Sequence, residues 1–234
     1  MEVRSLYQEP ERQEQVELGA LELHDVFKIF RAGDTDVVAL RGLDLRIERG
    51  ELVAILGPSG SGKTTLLHLA AGLDQPSAGE VRVAGRSLSR LDDAGLADYR
   101  AKELALVFQT GNLWPLLSAR ENVLLSLRLA GLPDRADEAL AHFGLAERAS
   151  HRAGALSGGE QQRVAIAAAA ARRPPLVLAD EPTAELDERN EEIVLEELRR
   201  LRKDFGATVV VVTHSPAVGR AADRVVEIRD GRVV

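Results

Sequence analysis

Hydrophobic residues along the chain fall into two recurring patterns. Short apolar runs without alternation occur at Leu52–Leu56, Leu104–Phe108, Leu176–Ala179 and Thr208–Val212. Their length and branching predict strands buried on both faces. Between them lie segments at helical spacing: Thr64–Ala71, most of 118–171, and Glu188–Lys203 with Val194, Leu198 and Leu201 inward and acidic residues outward. Ser118-Ala119-Arg120-Glu121 reads as a capping box, with Val123, Leu124, Leu127 and Ala130 following it. Gly131 to Asp134 ends that helix, and Gly206 stops the later one. Ahead of Leu52 the pattern is different. Leu21–Phe30 is strand-like, Arg31–Asp36 reads as a turn, and Leu43, Leu45 and Ile47 alternate with Asp44, Arg46 and Glu48. Glu80–Val83 is strand-like after the loop Asp74–Gly79, and 224–234 reads as two short strands around Asp230-Gly231. Buried strands alternating with helices predict an α/β, three-layer, mainly parallel core, with a small antiparallel β-subdomain at its start.

Composition narrows this little. The 234 residues are 45% hydrophobic, as in an ordinary globular protein. A net charge of −7 argues against broad nucleic-acid binding. The absence of cysteine excludes disulfides, thiolate metal sites and a cysteine nucleophile. Residues 1–19 are polar and read as a mobile leader rather than a signal peptide. The most apolar stretch, Val164–Ala171, is far short of the about 20 residues a bilayer requires. The chain is expected to be soluble, and to work at a membrane only if another chain holds it there.

The candidate chemistry begins at Gly57-Pro58-Ser59-Gly60-Ser61-Gly62-Lys63-Thr64, between a predicted strand and a predicted helix. It fits G-x-x-x-x-G-K-[ST]. Its glycines let successive N–H groups point into one concavity, and the helix adds the positive end of its dipole. Lys63 can reach the β- and γ-phosphates, and Thr64 can ligate Mg²⁺. Asp180-Glu181 directly follows a buried strand. There Asp180 can orient the magnesium shell and Glu181 can polarise an attacking water. Leu156-Ser157-Gly158-Gly159-Glu160 opens a second helix whose amides can bind an anion. One nucleotide rarely needs two γ-phosphate sites in one chain, so two copies would each offer this helix to the other's ATP.

With these motifs in order, the sequence resembles the nucleotide-binding subunit of an ABC (ATP-binding cassette) transporter over about Leu21–Val234. The resemblance implies a P-loop NTPase core over 20–234 with an inserted α-helical subdomain at about 112–172. It implies ATP contacts at Phe30, on the adenine, and along the loop from Gly57 through Thr64 to Thr65. Contacts across the dimer seam would come from Ser157, Gly158, Gly159 and Asp187. Lys63, Gln109, Glu181 and His214 would be catalytic, and Thr64, Gln109 and Asp180 would hold Mg²⁺. Leu156–Ile166, Ala179–Thr183 and Phe108–Leu113 resemble the lipoprotein-release, macrolide-export and cell-division branch; Ala168 and Ala184-Glu185 depart from it. The implied assembly is an ATP-dependent homodimer, peripheral on the inner face of the cell membrane, driving a separate membrane subunit. The alternative within the family is an ATP-binding scaffold with little hydrolysis. DNA- and ribosome-acting members carry long insertions or a second cassette, which this chain lacks, so no nucleic-acid partner is expected. Trp114, the chain's only tryptophan, lies in the apolar segment between Gln109 and Ser118. It either packs the helical part onto the core or floors a docking site for the membrane subunit.

Overall fold

The computed structural model describes residues 18–33, 35–184 and 186–234. The leader expected over 1–19 lies outside them apart from its last two positions. In chain order the elements are β1 (Leu21–Ala32), β2 (Thr35–Ile47), β3 (Leu52–Leu56), α1 (Lys63–Ala70), β4 (Ala78–Val83), β5 (Arg86–Ser87), α2 (Asp93–Lys102) and β6 (Leu104–Val107). There follow α3 (Ala119–Leu129), α4 (Ala136–His142), α5 (Gly158–Arg172), β7 (Leu176–Asp180), α6 (Glu188–Phe205), β8 (Thr208–Thr213), α7 (Pro216–Ala221), β9 (Arg224–Arg229) and β10 (Arg232–Val233).

The main sheet has the order β10-β9-β3-β8-β7-β6, parallel except for the β9–β10 hairpin. Its central strands are apolar throughout because both faces are covered. Leu52, Ala54, Val177, Ala179, Val209 and Val211 face a core shared with α3 to α7. The alternate residues Val53, Ile55, Leu176, Leu178, Val210 and Val212 face α1 and the antiparallel sheet. Period-two geometry thus assigns neighbouring valines to two different cores.

The antiparallel sheet, β2-β1-β4-β5, is larger than the sequence suggests. Within the turn expected over 31–36, Arg31 pairs with Asp36 and Ala32 with Thr35 on the two strands, and Gly33 sits at φ 62°. β2 runs for 13 residues, pairing Val37 with Phe30 and Val38 with Ile29. The polar residues that suggest a turn lie instead on strands, because cross-strand pairing overrides local turn preference. The α2 helix carries no strong apolar periodicity, yet Asp92 caps it by accepting from the Gly95 amide at 2.8 Å, and Tyr99 anchors it by donating to the Ala70 carbonyl at 2.8 Å. The Ser118–Glu121 capping box forms, and Gly206 ends α6 at φ 67°. No helix among the described residues is long and apolar enough to cross a membrane.

Candidate active site

Parallel register brings the candidate residues together. Leu56 pairs with Thr213, Asp180 with Val212, and Val107 with Ala179. The carboxyl ends of β3, β8, β7 and β6 therefore open at one edge of the sheet, where ligands of open α/β sheets bind.

The glycine loop after β3 is shaped by close approaches. A Cβ on Gly57 would lie 2.2 Å from the Ile228 carbonyl oxygen, and one on Gly62, at φ 102°, would lie 2.5 Å from that of Ala39. Gly62 caps α1, whose first turn carries no acidic residue to compete for an anion. Lys63 is buried, and its ammonium donates to the carbonyls of Gly57 at 2.8 Å and Pro58 at 3.0 Å. Ser61 Oγ is buried without a partner among the described residues. A cleft of about 460 Å³ opens over the loop. Ser59, Gly60, Gly62, Lys63, Thr64 and Thr65 line it on one side, and Gln109, Glu181 and His214 on another. Val37, Val38 and Ala39 of β2 complete the wall. Phe30 stands across the ladder from Val37 and is exposed at this rim rather than lining the cleft. Val37 gives no sign in the sequence of facing a ligand, because only the β1–β2 pairing sets it beside Phe30.

The strand-end carboxylates differ in environment. Thr64 Oγ1 donates to Asp180 Oδ1 at 3.3 Å. Burial pushes the Asp180 carboxyl up, opposed by the Thr64 hydrogen bond and reinforced by the Glu181 charge. Glu181 turns the chain out of β7 at φ 46°, and its amide donates to the Val212 carbonyl at 2.8 Å. A left-handed glutamate is strained backbone of the kind that clusters at functional sites. The turn delivers its carboxylate to the end of β8. Oε2 accepts from Thr213 Oγ1 at 2.9 Å and from the His214 amide at 3.3 Å, while His214 Nδ1 lies 2.9 Å from Oε1. The His214 side chain is 69% exposed and Glu181 18%, so the histidine covers the carboxylate from the solvent side.

The Ser157 helix is not part of this cleft. Ser157 and Glu160 form a reciprocal capping box at the start of α5. The Arg148 guanidinium and the Ser157 amide hold the Glu160 carboxyl down at about 2. Gly158 lines a separate cavity of about 120 Å³ with Gln109, Asn112, Gln162, Ala184 and others. Neither Ser157 nor Gly159 lines the phosphate-loop cleft. Asp187 caps α6, its Oδ1 accepting from Asn190 N at 2.8 Å and Nδ2 at 2.9 Å. The Asn190 side chain fills the space over Gly159, where a Cβ would meet Oδ1 at 2.6 Å. The two helix starts are thus keyed together.

Gln109 lines both cavities. The segment after it is tied down by residues with no local signal. Asn112 accepts from Phe108 N and donates to Phe108 O, both at 2.7 Å, and Gln162 of α5 donates to the same carbonyl at 3.2 Å. Asn122 of α3 is buried and closes on the Trp114 backbone in both directions, at 2.8 and 3.1 Å. Trp114 itself is 66% exposed and Leu116 79%, whereas Leu113 packs against the core. Trp114 lines a groove of about 180 Å³ with Leu125 and Leu129 of α3 and Ala165, Ala168 and Arg172 of α5.

The donors near the loop suit a nucleotide and a hard divalent ion. The orphaned Ser61 hydroxyl, the enclosed ammonium and the uncapped amides of α1 fit phosphate oxygens. Among the described residues no group of three or more His, Cys, Asp or Glu could hold a metal by itself. A hydroxyl and one carboxylate, Thr64 and Asp180, match Mg²⁺, which is held by one or two carboxylates plus substrate phosphates.

The comparisons agree. The ABC transporter family profile matches residues 40–184. An uncharacterized ABC transporter ATP-binding protein of Thermotoga maritima is 47% identical over 91% of this chain and 93% of its own. The lipoprotein-releasing system ATP-binding protein LolD of Geobacter metallireducens is 44% identical over 92% and 97%. The macrolide export ATP-binding/permease protein MacB of Rhodopseudomonas palustris is 47% identical over 92% of this chain, which spans 33% of that protein's length. Among solved structures, the ATP-binding cassette MJ0796, dimeric in a post-hydrolysis state with ADP and Pi, superposes with a TM-score of 0.84 at 41% identity, covering 91% of this chain and 96% of that one. Likeness of this extent and identity makes the chain a member of the ABC transporter family, as an ATP-binding and ATP-hydrolysing subunit.

Proposed function

We propose that two copies of this chain close on ATP and drive a separate membrane subunit, and that the chain sits peripherally on the inner face of the membrane through that partner. The phosphate loop, Lys63 and Thr65 hold the phosphates, and Phe30 with Val37 flanks the base. Thr64, Asp180 and Gln109 would hold Mg²⁺, which would supply charge neutralisation to the phosphates. Glu181 takes the proton of the attacking water, and His214 contacts the γ-phosphate. With Nδ1 on Glu181 Oε1, the other ring nitrogen, Nε2, is the one left to reach phosphate. Ser157, Gly158, Gly159 and Asp187 act on the ATP of the other copy. In support, Ser157, Gly158 and Gly159 do not line the phosphate-loop cleft of their own chain, and the related cassette MJ0796 is a dimer. The relatives named for lipoprotein release and macrolide export support an export or mechanotransmission role.

The observation that carries the hydrolytic reading is the convergence of Lys63, Thr64 and Glu181 on one cleft, with the Thr64 hydroxyl donating to the Asp180 carboxylate at 3.3 Å. Glu181→Gln keeps every phosphate contact and removes the base. Size-exclusion chromatography with saturating ATP is expected to show a stable dimer, with turnover reduced on the order of a hundredfold or more. A monomer with wild-type turnover overturns both the base and the ATP sandwich.

A further inference from the structure

Glu191 lies one turn into α6, and the chemistry above makes no use of it. Its Oε1 accepts two hydroxyl hydrogen bonds. One comes from Ser215 Oγ at 2.6 Å, the residue after His214. The other comes from Thr183 Oγ1 at 3.2 Å, two residues after Glu181. A carboxylate has only lone pairs to offer, so both hydroxyl protons point at Glu191. Ser215 Oγ in turn accepts from the Ala217 amide at 3.2 Å, and the Ser215 amide donates to Thr213 Oγ1 at 3.0 Å. Thr213 then spends its proton on Glu181 Oε2 at 2.9 Å. These bonds run from Glu181 through Thr213, Ser215 and Glu191 to Thr183, and the two-residue backbone step between Thr183 and Glu181 completes the loop. Thr183 and Thr213 are buried, at 4% and 0% exposure, so neither has water as a ready substitute partner.

The loop also has a handle. The Glu191 amide donates to the Asp187 carbonyl at 2.8 Å, and Asp187 caps the same turn through Asn190, which is keyed over Gly159. A displacement of the first turn of α6 therefore moves the acceptor on which both the Glu181 and the His214 segments hang. We propose that Glu191 is a positioning residue of the ATPase: it ties Thr183 and Ser215 to α6, sets the spacing of Glu181 and His214, and passes movement of the α6 start to them. This rests on Glu181 acting as the base. A base must hold its geometry to a fraction of an ångström, and the Glu191 carboxylate bonds to both segments.

Glu191→Ala and Glu191→Gln in the full chain test it by steady-state ATPase kinetics and by titration with a non-hydrolysable ATP analogue. The alanine variant is expected to lose kcat on the order of tenfold, with KM and analogue affinity unchanged. Glutamine keeps a carbonyl oxygen with two lone pairs and is expected to restore kcat to within about threefold of wild type. Ser215→Ala is expected to reproduce part of the loss, and the double variant to lose less than the product of the two singles. Equal kcat in the alanine and glutamine variants, or equal losses in kcat and analogue affinity, overturns the proposal. Glu181→Gln is measured alongside. If it retains turnover, the base reading fails and takes this proposal with it; if it is inactive while Glu191→Ala keeps full kcat, the positioning role alone fails.

Discussion

Lys63 illustrates how one side chain combines structural and chemical work. Its ammonium closes the glycine loop on itself through Gly57 and Pro58, inside a pocket where little water reaches it. Phosphate oxygens offer a charged acceptor in place of two neutral ones, and charge-assisted bonds are roughly twice as strong. Lys63→Ala is therefore expected to weaken ATP binding by about 1.5–3 kcal/mol, roughly ten- to hundredfold in Kd. Isothermal titration with a non-hydrolysable analogue checks this, and an unchanged Kd would remove Lys63 from the phosphate site. Glu181 carries a different burden. Its left-handed backbone directs the carboxylate at Thr213 and His214, residues more than thirty positions away in the chain.

Among the elements, α5 and α6 matter most for assembly. Both begin with side-chain caps, at Ser157 and Asp187, and their first turns interlock where Asn190 covers Gly159. Rigid helix starts present amides and dipole to a ligand with little reorganisation. Ser157 is exposed, so a bulky cation fits there without disturbing the core. Ser157→Arg is expected to cost about 1 kcal/mol of helix capping and to leave ATP binding by the monomer intact. It should block closure, because the arginine would occupy the space of the partner's phosphate. Analytical ultracentrifugation with ATP, in the Glu181→Gln background, is expected to find monomer. Loss of ATP binding by the monomer would instead place Ser157 at its own chain's nucleotide.

At the scale of the molecule, the stretch from Gln109 to Ser118 links the nucleotide cleft to α3 and α5. Asn112 and Gln162 hold the Phe108 backbone just ahead of it and Asn122 holds that of Trp114, while Trp114 and Leu116 remain exposed, Trp114 beside a groove edged by Leu129. Exposed aromatic and aliphatic side chains beside a groove mark a contact surface more than a core. We propose that a short cytoplasmic helix of the membrane subunit docks there, so that movement at Gln109 reaches it as rigid-body rotation. Trp114→Ala is expected to change stability by no more than about 0.5 kcal/mol and to preserve the ATPase of the isolated subunit. It should weaken partner binding by about 2 kcal/mol or more, abolishing stimulation at working concentrations. Full stimulation in the variant would leave the groove without this role.

The sequence alone determined the features whose physics is local. The glycine spacing and Lys-Thr ending of the loop, the Ser118, Ser157 and Gly206 caps, and the doubly buried valine strands each satisfy their own neighbours within a few residues. Tertiary structure decided what depends on which strands lie side by side. The order β3-β8-β7 brings Thr64 to Asp180 and Thr213 to Glu181, and extended pairing, not turn chemistry, set the length of the β1–β2 hairpin. Asn112, Asn122, Gln162 and Glu191 are ordinary polar residues in the sequence. Each acquires its place only where folding buries a backbone group or hydroxyl that must find a partner, and that demand arises from packing rather than from any neighbouring residue.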